Sequence, residues 1–302
     1  MKIAYVKRND INTTKWDACI AQSVNGMVYA YSWYLDIVAE NWDALIGNEY
    51  EAVFPLTFNT KFGISYVYQP FFTQQLGLFS AGHITHELVS KFFDAIPEHF
   101  RFVAVNLNTF NKLSYPKAKV IPRVTYHLDL IEPYPAISSR YSNNTKRNIS
   151  KAVAYNVGVI KGLSAQKLIE LKKGNQIVPL KQKHFDTLIK LVTHSVANGV
   201  GEVYGAYDKH NELCGGVLFL KSNGKAIYLL ASSTAKGKSN RAMFALVDHF
   251  IQQNAESHLV LDFEGSNVES VARFYAGFGG SPCEYNHIII NRLPWYVNLF
   301  RR

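Results

Sequence analysis

Residues 258–290 read HLVLDFEGSNVESVARFYAGFGGSPCEYNHIII, and this stretch decides the fold. Leu259, Val260 and Leu261 form a short apolar run between polar residues, the pattern of a buried strand. Residues 262–267 interrupt it, and Ser266 or Asn267 can cap a following helix by accepting one of its unpaired N–H groups. Val268, Val271, Phe274 and Tyr275 recur at helical spacing, and Gly279 and Gly280 end the helix where left-handed backbone costs glycine little. Residues 283–290 read as a second strand. Two carboxylates, Asp262 and Glu264, therefore stand at the end of a buried strand before a helix N-terminus, an unusual use of a turn.

Composition bounds the answer. The chain has 302 residues, enough for one large domain or two medium ones. Apolar residues make up 48% and charged residues 18%, which predicts a packed core and excludes disorder. A net charge of +9 favours anionic partners such as a phosphorylated cofactor, RNA or an acidic surface, although a basic protein with no such partner has the same balance. Cys19, Cys214 and Cys283 are far apart and match no metal-ligand spacing, so no metal site is expected. Reduced thiols and the absence of a signal peptide point to a cytoplasmic protein. No apolar run approaches the length of a membrane span, so no integral membrane contact is expected, and residues 293–302 read as a short docked helix.

Taken in order, the first part reads as a strand at 3–6, a helix starting at Asn12, a second helix over 29–40, and strands over 42–46, 51–58 and 64–68. Residues 69–79, QPFFTQQLGLF, mix rings with neutral amides. Pro70 argues against a central strand there, and Gln69, Phe72, Gln74 and Gln75 are candidates to line a substrate groove, against the alternative of a packed surface loop. A helix over 86–93 and strands over 103–108 and 119–130 follow. Residues 134–157 are polar and basic, with Arg140, Lys146, Arg147 and Lys151 close together, and suit a helical connector. The remainder reads helix, helix, three antiparallel strands with a hairpin turn at Asn223 and Gly224, helix, strand, helix, strand. The first part can be read in a similar order. The expected division is 1–133, a connector over 134–157, and 158–302, with the last segment able to pack back on the first domain.

The order of elements in the second part resembles the GNAT acyltransferase fold. In that fold a strand leads into a turn whose N–H groups, with the next helix N-terminus, hold the pyrophosphate of acyl-CoA. The matching segment is SSTAKGKSNR over 232–241, which makes Ser232, Lys236, Gly237, Lys238 and Arg241 the expected cofactor-binding residues; it departs from the family's usual glycine-rich loop. Phe274, Tyr275 and Gly279 resemble the signature of the last GNAT helix, where a tyrosine often protonates the leaving thiolate, so the resemblance makes Tyr275 the candidate acid. Asp262, Glu264, Phe274 and residues 278–280, with TKRNISKA over 145–152 and the 69–79 segment, look more specifically like the Fem-type branch. That branch carries two GNAT-like domains and adds amino acids to peptidoglycan precursors from aminoacyl-tRNA; relatives use other donors, including acyl-CoA. The long coiled-coil insertion of some tRNA-using members is missing here.

The resemblance thus implies an α/β protein of two GNAT-like domains with mixed, mostly antiparallel sheets. It implies an N-acyltransferase that moves an acyl or aminoacyl group to a small-molecule or cell-wall-precursor amine. Acyl-CoA is the expected co-substrate, no cofactor is permanently bound, tRNA is a further expected partner, and DNA is not. An attacking amine must lose a proton, and the carbonyl oxygen needs hydrogen-bond donors. Asp262 or Glu264 is the candidate to orient or deprotonate the amine, and a backbone N–H near residues 230–232 the candidate donor. The plainer role for both acids is capping the strand end. The ten histidines lack a metal or nucleophile context and read as surface residues. The rival function is a duplicated GNAT fold that binds a ligand or partner without turnover.

Overall fold

The computed structural model describes residues 1–113, 115–176, 179–265 and 268–294. The chain packs as two compact units, Met1–Arg123 with Glu284–Arg302, and Val124–Cys283. The basic segment expected as a connector lies inside the second unit, and the last strand belongs mostly to the first.

The first unit runs β1 (Ile3–Val6), α1 (Thr13–Gln22), α2 (Ser32–Val38), β2 (Asn41–Gly47), β3 (Ala52–Lys61), β4 (Ile64–Val67), β5 (Phe79–Ser80), α3 (His86–Asp94) and β6 (Phe100–Asn106). The boundary falls within β7 (Lys119–Asp129). The second unit runs α4 (Tyr134–Ser139), α5 (Asn143–Ala154), β8 (Gly158–Lys161), α6 (Ala165–Gly174), α7 (Gln182–Ala197), β9 (Gly201–Tyr207), β10 (Leu213–Ser222), β11 (Lys225–Ser233), α8 (Ala235–Ser239), α9 (Ala242–Asn254), β12 (Val260–Asp262) and α10 (Glu269–Gly277). β13 (Ser281–Asn291) follows. Helix starts follow the capping chemistry: Asn12, Thr85, Ser142 and Ser164 each accept a backbone N–H three residues on. The cap expected at Ser266 or Asn267 and most of the expected C-terminal helix lie outside the described residues.

Each unit holds the same strand order. In the first, β1, β2, β3 and β4 are antiparallel neighbours, β6 adds parallel to β4, and β13 closes antiparallel on β6. In the second, β8, β9, β10 and β11 are antiparallel neighbours, β12 adds parallel to β11, and β7 closes antiparallel on β12. The closing strand of each unit thus comes from the end of the other repeat. The similarity of pattern in the sequence is a structural duplication, built as two mixed, mostly antiparallel α/β units.

One face of the second unit's sheet carries its main apolar cluster, where Phe219 of β10 stacks on Phe250 of α9 with centroids 3.6 Å apart. Leu128, Leu261 and Phe263 join that cluster. The parallel pairing of β11 with β12 is short: Lys225, Ala226 and Ile227 oppose Val260, Leu261 and Asp262, and there it stops. β11 continues to Ser233 with a bulge at Leu229, which faces no residue on β10. Among the described residues no helix is long and apolar enough to cross a membrane.

Candidate functional site

The parting of β11 from β12 opens a cavity of about 410 Å³. Elements on both sides of the sheet line it: Lys172 and Asn175 at the end of α6, and Met243 and Phe244 of α9 with Phe274 and Tyr275 of α10. Only a gap in a sheet gives access from both faces. Ser232, Gly237, Lys238 and Arg241 of the expected donor segment and Tyr275 of the last helix all line this one space.

Its charge is one-sided. Lys172, Lys238 and Arg241 line it, and among the described residues no carboxylate does. Burial pushes the Lys172 amine below its ordinary range, and among the described residues it has no ion-pair partner. Arg241 takes a left-handed conformation at φ 64° between α8 and α9, where a side chain usually costs about 1 kcal/mol or more. Its buried Nε has no hydrogen-bond partner among the described residues. The wall beyond the cations is apolar, with Met243, Phe244, Val271 and Phe274. The site therefore suits a ligand with an anionic end and a long apolar or neutral body.

The segment at 232–241 differs from the expected open turn. It winds into α8, and Thr234 caps it by accepting from Gly237 N at 2.9 Å. Lys238 N donates to Thr234 O and Asn240 N to Lys236 O. Those amides are occupied and do not cradle a phosphate, so the side chains must carry anion recognition. Gly237 serves packing: a Cβ there would lie 2.0 Å from Cys214 O and 2.5 Å from Ser233 Oγ. Lys236 pairs with Asp208 and, at 2.8 Å, with Glu212, and does not line the cavity.

Tyr275 stacks on Phe263 at 4.9 Å and lies near Tyr126 and Tyr228. Burial pushes its phenol up, and the charges of Glu264 and Asp262 push it further, so it stays protonated at neutral pH. Among the described residues its hydroxyl has no hydrogen-bond partner. A retained proton on an unbonded hydroxyl suits an acid toward a leaving group.

Asp262 is 1% exposed and reaches no solvent-filled groove. Its Oδ1 accepts from Thr125 Oγ1 at 2.6 Å and from Glu264 N at 3.0 Å. Its Oδ2 lies 3.1 Å from His127 Nε2. Burial alone raises the Asp262 carboxyl, but the His127 hydrogen bond and charge, with Thr125, outweigh it and hold it below its ordinary range. His127 is the residue the sequence reading missed. It lies directly across from Asp262 in the β7–β12 ladder, with 21% of its side chain exposed. Among the described residues its Nδ1 has no partner. Asp262 thus holds the His127 ring from a buried position, with both of its oxygens engaged. Glu264 is partly buried at φ 50° and acts on Tyr275 through its charge.

Strand alternation places the pair relative to the tyrosine. Tyr126 and Phe263 touch the Tyr275 ring, so their neighbours His127 and Asp262 face the other side of the sheet. Asp262 opposes Ile227, the last paired residue before the parting. The dyad therefore stands at the vertex of the gap on one face, and Tyr275 lines the gap from the other.

In the first unit the equivalent parting is closed. Residues 69–78 fold into it: Leu76 N donates to Asn106 O, and Asn108 N donates to Leu76 O, both at 2.8 Å. Gln69 spans Asn106 N and Thr73 O. Gln75 is fully buried and donates to Gln74, and the Phe72 carbonyl accepts from Tyr34. The amides expected to line a groove brace this loop through these hydrogen bonds.

No family model and no curated protein matches the sequence. Solved structures do match it. The chain resembles FemX over 99% of its own length and 100% of that chain, with a TM-score of 0.67 and 11% identity. The fold is GNAT-like, of the Fem type. L-PGS from Bacillus licheniformis is also similar, with a TM-score of 0.54 and 9% identity over 95% of this chain and 93% of that one. A conserved protein from Bacteroides thetaiotaomicron follows at 0.55 and 8%, over 93% and 97%. Identities this low speak for the fold.

Proposed function

We propose that this chain transfers an acyl or aminoacyl group from an activated, phosphate-bearing donor to an amine by direct attack. The observation that carries this reading is the open parting in the second unit. Among the described residues it holds three cations and no carboxylate, is lined from both faces, and has an Asp–His pair at its vertex. The donor's phosphates lie against Lys238, Arg241 and Lys172, and its body runs along Phe244 and Phe274 into the gap. The amine arrives on the His127 face. His127 Nδ1 takes the proton of the attacking nitrogen, the C–N bond forms as the carbonyl opens, and Tyr275 gives its proton to the departing thiolate or oxygen on the other face. The bulge at Leu229, where the β10–β11 register slips by one residue, is the place assigned to the backbone N–H that meets the carbonyl oxygen. Asp262 holds the imidazole in one tautomer.

Acyl-CoA and aminoacyl-tRNA both fit a site that reads phosphates through side chains. The test is a panel of acyl-CoA thioesters and aminoacyl-tRNA, read by thermal shift and competition. Stabilisation by a CoA compound, lost when Lys238 and Arg241 are changed to alanine, assigns acyl-CoA. Stabilisation by aminoacyl-tRNA alone, falling with salt, assigns the other donor. The closed turn at α8 favours one second reading, a duplicated fold that binds a ligand without turnover. Ligand-induced stabilisation with no transfer to any amine supports that reading.

A further inference from the structure

The first unit holds a second oriented histidine, independent of the donor cavity. Asn106 ends β6 directly across from His287 on β13. Its Nδ2 donates to the Gln74 carbonyl at 2.7 Å. A carbonyl only accepts, so that contact fixes which end of the Asn106 amide is nitrogen. The Asn106 Oδ1 then faces His287 Nδ1 at 2.8 Å. An amide oxygen also only accepts, so His287 Nδ1 must carry the hydrogen. In the neutral ring Nε2 is left with its lone pair, and among the described residues it has no partner. The loop that sets this arrangement is itself pinned to Asn106 by Gln69 and Leu76.

We propose that His287 is a preset hydrogen-bond acceptor for an N–H or O–H group of a bound ligand, its tautomer locked through Asn106 by the Gln74 carbonyl. The class of ligand is a neutral hydrogen-bond donor, an amine, amide or hydroxyl. An anion is excluded, because a lone pair facing it repels. Burial, with the charge of Arg123, also holds the imidazole below its ordinary range, so the acceptor form persists at neutral pH. His127 differs in its partner, a carboxylate where His287 has an amide oxygen. The two proposed roles differ accordingly: one ring takes a proton from the attacking amine, and the other receives a hydrogen bond.

The test uses the whole chain and needs no known substrate. Long-range nitrogen–proton NMR on histidine-labelled protein reads the tautomer and titration of His287. Carbethoxylation by diethyl pyrocarbonate at pH 6.0, mapped by mass spectrometry, reads the accessible lone pair. The expected result is an Nδ1–H ring titrating below ordinary histidine, and modification at least as fast as at the exposed His83 and His86. Asn106→Asp puts a carboxylate beside the ring and should slow modification at this pH about tenfold by favouring the charged form. An Nε2–H ring, or a His287 untouched while His83 and His86 react, overturns the proposal. The NMR and labelling results stand whether or not the chain proves to be a transferase.

Discussion

Asp262→Asn separates orientation from charge at the vertex of the gap. The asparagine keeps its Oδ1 for Thr125 and Glu264 N. In place of Oδ2 it turns an NH2 group toward His127 Nε2, now 3.1 Å away. An NH2 only donates, so Nε2 must become the acceptor and the ring hydrogen moves to Nδ1, the atom proposed to take the amine's proton. The fold exchanges a charge-assisted hydrogen bond for a neutral one, a cost of about 1–2 kcal/mol at pH 7. The sign with pH follows from the lowered carboxyl: its stabilisation is present above the ordinary value of 3.8 and is lost as pH falls through the lower folded value. The variant should therefore be less stable than the parent at pH 7 and closer to it at pH 3. Loss of a general base lowers transfer about 10²- to 10⁴-fold. Urea unfolding at both pH values, nitrogen NMR of His127 and a transfer assay with the best donor measure all three. Transfer within about threefold of the parent, with the tautomer switched, refutes His127 as the base.

Other consequences are direct. Gly265→Ala puts a Cβ 1.6 Å from Val124 O, a backbone atom, and should cost about 3 kcal/mol in urea unfolding. Lys172→Met should raise the melting temperature by removing a partly buried amine that has no ion-pair partner among the described residues, an effect within about 1 kcal/mol, and weaken binding of the donor. Asp248 accepts from Tyr134 at 2.9 Å, and burial raises its carboxyl. The folded state therefore holds that proton more tightly, and stability falls as pH rises from 3.8 through the raised value. Asp248→Asn should be the more stable protein at pH 7, by about 1 kcal/mol or less, and a parent of equal or higher stability there refutes the assignment.

The parts of this chain that a sequence can carry are those encoded locally. The strand–turn–helix of residues 260–277 shows in its apolar spacing, the helix starts in Asn12 and Ser142, and the duplication in the order of elements. Ser232, Gly237, Lys238, Arg241 and Tyr275 could be gathered as one site because a fold resemblance supplied their juxtaposition. His127 could not. Its partner is 135 residues away in sequence, and the strand that carries it closes a sheet made by the other repeat. The alternation of Thr125, His127 and Asp129 with Tyr126, Leu128 and Leu130 does mark a strand with one polar side, the only local trace of the pair. Asp262 drew attention as one of two acids at a strand end, yet its burial depends on that same remote strand. The closed turn at α8 was legible in principle: Thr234 stands three residues before Gly237, the spacing of a cap.

The two repeats put the same parting of parallel strands to opposite uses, and single residues decide which. After β4, Pro70 cannot extend the ladder, and the chain crosses into the gap. Gly77 lets it stay there: at φ 105° it takes a conformation closed to most residues, and a Cβ would lie 2.4 Å from Asn111 Oδ1, the oxygen that accepts from Leu78 N. The gap is thereby filled with the chain's own backbone, stitched by Asn25, Asn108 and Asn111 to the carbonyls of Leu76 and Leu78. After β11 the hydroxyl of Thr234 starts a helix instead, and the chain leaves the sheet. The second gap stays open because, among the described residues, nothing is threaded into it. A fold that fills one of two equivalent crevices with its own backbone, and lines the other with cations and a tyrosine whose hydroxyl is unbonded among the described residues, gives the first crevice to rigidity and keeps a cavity in the second.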